Sequence, residues 1–133
     1  FETCLEPDEI LAGVEIPPLP STSKSVYLKH TIRFGDLAIV GVAAMTVIRD
    51  GVCEELRLAL GGVGPVPFRA TKAENLLRQT SIHDSAIDEV AEAAAEMCDP
   101  ISDAHASADY RRKMVRVFVR RALQQTLRGG ARE

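Results

Sequence analysis

A chain of 133 residues with an ordinary apolar share and a formal net charge of −3 fits one domain around a single core, with roughly two-thirds of its unfolded surface buried. The acidic balance works against general affinity for nucleic acid, no apolar run approaches the roughly 20 residues of a spanning helix, and nothing at the start reads as a secretion signal. Cys4, Cys53 and Cys98 are odd in number and irregular in spacing, which gives neither a disulfide framework nor a zinc pattern and fits a reducing, cytoplasmic setting. His30, His83 and His105 are as scattered, so no metal site is expected. The first residues are Phe1-Glu2-Thr3 rather than Met, which suggests a piece of something longer.

Residues 1–9 read as irregular. Ile10, Ala12, Val14 and Ile16 then alternate with Leu11, Gly13 and Glu15, a strand pattern that Pro17-Pro18-Leu19-Pro20 must stop. The prolines act as a spacer or, in a functional reading, as a ligand for a polyproline-binding module. From Val26 the period of two resumes. Val26, Leu28, His30 and Ile32 share one face; Tyr27, Lys29, Thr31 and Arg33 share the other. Gly35-Asp36 is a turn signal that sets a carboxylate beside two cations. That edge suits a phosphate or a flavin, and it equally suits a solvated sheet face with weak surface ion pairs.

Ala38 to Ile48 is apolar on both alternating sets and reads as a strand covered on both sides. Asp50-Gly51 supplies a hairpin turn, and Val52 to Leu60 returns with Val52, Leu56, Leu58 and Leu60 inward and Glu55 and Arg57 outward. Gly61-Gly62-Val63-Gly64-Pro65 lacks the spacing of a phosphate-binding loop and reads better as a bulged sheet corner.

Thr71 to Glu74 has the form of a capping box, opening a short helix through about Arg78 that buries Ala73, Leu76 and Leu77. Ser81 to Asp84 repeats the form ahead of a helix with Ile87, Val90, Ala91, Ala94 and Met97 inward. Its alanine-rich middle suggests close approach to the sheet or to another helix. Ser107 caps the last and longest helix, to about Leu127, whose apolar face gathers Tyr110, Met114, Val117, Phe118, Val119 and Ala122 opposite a solvated stripe of Lys113, Arg116, Arg120 and Gln124. Arg111 points into the apolar arc and requires a carboxylate partner, with Asp103 the nearest. The expected fold class is α+β: a mostly antiparallel sheet of four or five strands, then three helices, packed as an α+β sandwich. No nucleophile–base pair or carboxylate dyad is visible, so no catalytic residue is assigned and an autonomous hydrolase is not expected.

Several runs, weak singly and ordered as a set, resemble the C-terminal domain of the FAD-binding (medium) subunit of molybdenum hydroxylases, the family of carbon monoxide and xanthine dehydrogenase flavoproteins. They are Leu5 to Ile10, Tyr27 to His30 with Arg33, Asp36 to Val40, Gly61 to Ala70, Glu74 to Leu77 and Ser102 to Arg112. The resemblance covers nearly the whole chain. It implies a domain packed beside FAD in an oxidoreductase complex, where electrons from a molybdenum site pass through iron–sulfur clusters to FAD and on to a nicotinamide, oxygen or a quinone. It implies a flavin-contacting role for Lys29 and places the loop His30 to Asp36, with Arg33 and Asp36, where the acceptor arrives. That loop varies in the family, and Phe34 stands where some relatives carry a second basic residue. Partners implied are the preceding FAD-binding domain of the same subunit and the iron–sulfur and molybdopterin subunits, with neither nucleic acid nor membrane. The glycine-rich segments that hold most of the FAD belong to that preceding domain and are absent here, so residues 1–133 read as a single domain of a longer subunit, without flavin or activity by itself. The competing reading is a stand-alone interaction or dimerisation module without redox chemistry.

Overall fold

The computed structural model describes residues 3–127, so the first two residues of the expected irregular start lie outside it. Five strands and three helices follow in order: β1 Ser23–His30, β2 Val40–Arg49, β3 Val52–Gly61, β4 Phe68–Arg69, α1 Thr71–Leu77, β5 Thr80–Ser81, α2 Asp84–Glu96 and α3 Ala108–Leu127. The sheet is antiparallel throughout, in the order β1-β2-β3-β4 with β5 also pairing β3. The α+β architecture expected from the sequence is the one observed.

The β2–β3 hairpin turns at Asp50 and Gly51, whose φ angles of 50° and 78° are the positive pair that Asp-Gly supplies. Past the turn the register shifts between Val47 and Ile48, which pair with Glu55 and Cys53. Glu54 is therefore an extra residue, a β-bulge that reverses the parity of the strand end. Cys53, not Val52, takes the inward place and is fully buried, correcting the expected inward set at its first member.

Along the inner face, Leu28, Val42 and Leu60 form one cross-strand row and Val26, Ala44 and Leu58 the next. α1 and α3 pack on this face and α2 packs against both helices, which settles what its alanines approach. Both alternating sets of β2 are buried or half-buried, although helices cover only one of them.

Three local expectations are overturned. The Ile10–Ile16 pattern forms no strand here, because no neighbouring strand offers it hydrogen bonds. Thr71 caps nothing: Ala70 is the N-cap residue without a side-chain bond, and Glu74 turns away from the helix start. Its buried carboxylate accepts from Leu58 N at 2.8 Å and from Arg69 Nε and Nη2 at 2.7 Å each, closing the sheet where β4 ends, while Leu76 is left exposed. α2 begins at Asp84, capped by His83, whose Nδ1 accepts from Ala86 N at 3.1 Å.

Ser107 caps α3 as expected, accepting from Tyr110 N at 3.2 Å. The buried residues of α3 are Arg111, Val115, Val119, Ala122, Leu123 and Thr126, a face rotated from the expected one, with Tyr110 at its exposed margin. The stripe opposite is not simply solvated: Arg116 chelates Glu92 at 2.5 and 2.6 Å and Arg120 pairs with Asp88, joining α3 to α2.

Candidate functional site

β1 ends at His30 rather than running on to Arg33. Ile39 N donates to His30 O at 2.8 Å and closes the base of a loop, residues 31–39, that joins β1 to β2. Ile32 leaves the inward row and is exposed. His30 keeps its inward place: its Nε2 lies 3.0 Å from the Tyr110 hydroxyl and its ring 5.2 Å from that of Phe118, so it serves packing between sheet and α3.

Lys29 stands on the outer face of the sheet, exposed. Among the described residues it makes no ion pair, and neither do Arg33 and Asp36. The loop thus separates the two cations and the carboxylate that a longer strand would have gathered. Arg33 O accepts from Asp36 N in the turn, Arg33 is exposed, and Asp36 alone of the three lines the cleft described below.

Across the strands from Lys29 lie Gly41 and then Gly61, in register. Neither glycine adds a side chain of its own beside the ammonium. A Cβ at Gly61 would meet nothing within 4 Å, whereas one at Gly41 would lie 3.0 Å from the Tyr27 hydroxyl, because that phenol folds over the glycine. Tyr27 itself is 62 % exposed. The outer face here is a row of two glycines beside the Lys29 ammonium, with Gly41 buried under the Tyr27 phenol and Gly61 partly open. Sequence reasoning found Lys29 and Tyr27 but not the glycine row, since the alignment of two glycines 20 positions apart follows from strand register.

At the same end of the sheet, a cleft of about 470 Å³ lies between loops 31–39, 61–65 and 99–105, lined in part by Asp36, Leu37, Pro65, Ile101 and Arg111. Arg111 is 6 % exposed and ties the three loops together. Its Nη1 donates to Ile39 O at 2.8 Å and Gly62 O at 2.9 Å, and its Nη2 to Asp103 Oδ2 at 2.6 Å. Asp103 Oδ1 also accepts from His105 N and Ala106 N. The Ala106 amide, then the Arg111 guanidinium, then the His105 amide hold the Asp103 carboxyl down at about 2. Gly62 has φ +74°, and a Cβ there would come within 2.7 Å of Ala38 O. The glycine cluster is thus a corner of close backbone approach rather than the bulged corner expected, since the register shift of this sheet lies between Val47 and Ile48 instead. Burial pushes the Cys53 and Cys98 thiols up, Cys98 to about 11, so neither is a ready nucleophile. Among the described residues no group of His, Cys, Asp and Glu forms a metal site.

A five-stranded antiparallel sheet backed by three helices, with Lys29 exposed on its outer face, defines an α+β domain. Residues 25–126 match the CO dehydrogenase flavoprotein C-terminal domain, and the chain belongs to that family. It is 33 % identical over 128 residues to the 6-hydroxypseudooxynicotine dehydrogenase complex subunit alpha of Paenarthrobacter nicotinovorans, covering 96 % of this chain and 43 % of that protein. It is 31 % identical to the carbon monoxide dehydrogenase medium chain of Afipia carboxidovorans, covering 94 % and 43 %. Among solved structures, carbon monoxide dehydrogenase from Hydrogenophaga pseudoflava superposes with a TM-score of 0.83 at 30 % identity, covering 85 % of this chain and 39 % of that one. The chain spans less than half the length of the curated relatives it matches.

Proposed function

We propose that the chain is the C-terminal domain of a FAD-binding subunit in a molybdenum hydroxylase, packing beside FAD and helping electrons pass from iron–sulfur clusters through the flavin to an acceptor. The observation that carries this reading, within the family now established, is the glycine row on the outer face. Lys29 is exposed and unpaired among the described residues, with Gly41 and Gly61 beside it in register and Tyr27 at its margin.

These residues fit a flavin. Its ring is flat and carries hydrogen-bond acceptors, and the glycine row offers room for close approach at Gly61, a phenol to pack on and an ammonium donor. FAD supplies the redox chemistry. Lys29 would hold the cofactor by a charge-assisted hydrogen bond worth about 1.5–3 kcal/mol. Arg33 and Asp36, exposed in loop 31–39, would face the arriving acceptor. The partners in this reading are the preceding FAD-binding domain and the iron–sulfur and molybdopterin subunits, in the cytoplasm. No helix among the described residues is long and apolar enough to cross a membrane.

The test is the absorption spectrum of two purified proteins. The complete subunit should carry the flavin bands and release stoichiometric FAD on denaturation, whereas the 133-residue chain should be colourless. A colourless complete subunit that still binds protein partners would favour a stand-alone interaction module instead.

A further inference from the structure

Loop 31–39 has one end pinned and a span left loose. At the pinned end, Ile39 N donates to His30 O at 2.8 Å and Ile39 O accepts from Arg111 Nη1 at 2.8 Å. Both polar backbone groups of Ile39 are fixed, and its side chain is buried. Ala38 O lies so near the glycine corner that a Cβ on Gly62 would come within 2.7 Å of it. The span before it differs. Ile32 and Leu37 are 55 and 89 % exposed and Phe34 is fully so. Among the described residues one backbone hydrogen bond orders this span, from Asp36 N to Arg33 O at 3.2 Å.

The group that does the pinning is a poor choice for packing alone. Arg111 stands in the first turn of α3, where its amide donates to Ser107 O at 3.0 Å. Its Nη1 also reaches Gly62 O and its Nη2 reaches Asp103 Oδ2, while its Nε is buried with no partner among the described residues. A buried charge is costly, and apolar residues of similar volume often hold a core as well or better. A buried donor without an acceptor adds to that cost. What the guanidinium supplies instead is geometry. Its planar fork aims donors in fixed directions, here at carbonyls of two loops and a carboxylate of a third.

We propose that Arg111 is a positioning residue for the redox site. By holding Ile39 against the Gly62 corner, it sets where Arg33 and Asp36 stand when the acceptor arrives. This rests on the reading that the chain is part of a FAD-binding subunit. Arg111 acts through the loop, and the loop carries the effect in one direction. Asp36 is three residues from the anchor and lines the same cleft as Arg111, so a shift at Ile39 passes to its carboxylate. Lys29 is held on β1 in register with Gly41 and stays where it is. Loss of the anchor therefore changes how the acceptor docks and leaves flavin binding alone.

Arg111→Lys tests this, because lysine keeps the charge and cannot span the three acceptors. Val115→Ala, at a fully buried position of the same helix, is the control for lost packing. Asp103→Asn keeps the arginine and loosens its hold, and it serves if Arg111→Lys does not fold. In the 133-residue chain, hydrogen exchange read by NMR should show the Ile39 amide exchanging on the order of tenfold faster in Arg111→Lys, relative to the amides of Leu56 to Leu60. Val115→Ala should not single out Ile39.

The complete subunit is then reduced without oxygen by stoichiometric dithionite and mixed with 2,6-dichlorophenolindophenol. Reduced flavin returns to FAD as the dye's quinone-imine takes up two electrons and two protons to give its leuco form. Arg111→Lys should raise the half-saturating dye concentration roughly tenfold, the loss of one hydrogen bond to a charged group. FAD content and limiting rate should not change, Asp103→Asn should shift half-saturation the same way by less, and Val115→Ala should leave it unmoved. A subunit without flavin would remove the flavin reading and the proposal together. In a flavin-loaded subunit, an unmoved half-saturation, an equal shift in Val115→Ala or a fall in limiting rate alone would overturn the proposal and leave that reading standing. So would an Ile39 amide that exchanges no faster than its neighbours in the chain.

Discussion

The inner and outer faces of the sheet are made from alternate residues of the same strands, yet they are finished differently. Inward, Leu58 and Leu60 meet Val26, Leu28, Val42 and Ala44 under helices α1 and α3, and the layer closes with every large side chain buried or nearly so. Outward, Lys29, Gly41 and Gly61 form one row and Tyr27, Ala43 and Ala59 the next, with no helix over them. The inner face stabilises the domain with material the chain itself supplies. In the proposed reading the small residues of the outer face leave room for the flavin, where a merely solvated surface would serve equally well with longer polar side chains. The proposed function thus places folding and cofactor contact on two sides of one sheet, and substitutions should sort accordingly.

The largest effect should come from Arg111, which closes the inner layer at the sheet end. Arg111→Ala strands two carbonyls, Ile39 O and Gly62 O, and leaves Asp103 without its cation. One-sided removal of such a buried partner costs about 3–5 kcal/mol, lowering Tm by on the order of 10 °C. Arg120→Ala removes a half-exposed pair with Asp88 and should cost no more than about 1 kcal/mol. Thermal unfolding of the two variants measures the contrast, and equal small shifts would mean that Arg111 is no hub.

A smaller effect should appear on acidification. The Asp103 carboxyl sits at about 2 in the fold against an ordinary 3.8. The unfolded chain therefore takes up its proton first as pH falls. The stabilisation is fully present above about pH 4 and is lost on descent through about pH 2. Asp103→Asn should flatten that part of the urea-midpoint profile relative to the parent chain. An unchanged slope between pH 5 and 2.5 would show that the Arg111 cluster does not couple to acid unfolding.

Inner-face features were the most legible in the sequence, because local chemistry decides them. Asp50-Gly51 forces its hairpin, Ser107 caps α3, and an arginine on an apolar arc finds Asp103. What was not legible depends on neighbours distant in sequence. The bulge at Glu54 moves Cys53 inward only once β2 sets the register. Glu74 forgoes its capping box because Leu58 N and Arg69 offer a buried carboxylate better partners than the helix start does. Loop 31–39 claims residues that alternate well enough to be strand, because Ile39 N closes on His30 O and cuts β1 short. Ile10–Ile16 is the converse case, a strand by local pattern with no partner among the described residues. Of the candidate site, the identity of Lys29 was visible and its setting was not, since the glycine row exists only across paired strands.

The smallest expected effect on stability sharpens the comparison most. Lys29 lies exposed on the outer face, opposite a glycine, and makes no ion pair among the described residues. Lys29→Gln keeps much of the side-chain length and removes the charge, and in the 133-residue chain it should move the unfolding free energy by less than about 0.5 kcal/mol. In the complete subunit the same substitution should weaken FAD retention roughly ten- to a hundredfold, the equivalent of one charge-assisted hydrogen bond of about 1.5–3 kcal/mol, or slow flavin reduction. A residue important to the cofactor and irrelevant to the fold gives this pair of results, and a residue of the inner face gives the opposite pair. Unchanged flavin affinity together with unchanged electron-transfer rates would make Lys29 an ordinary solvated strand residue and leave the glycine row without its ammonium anchor.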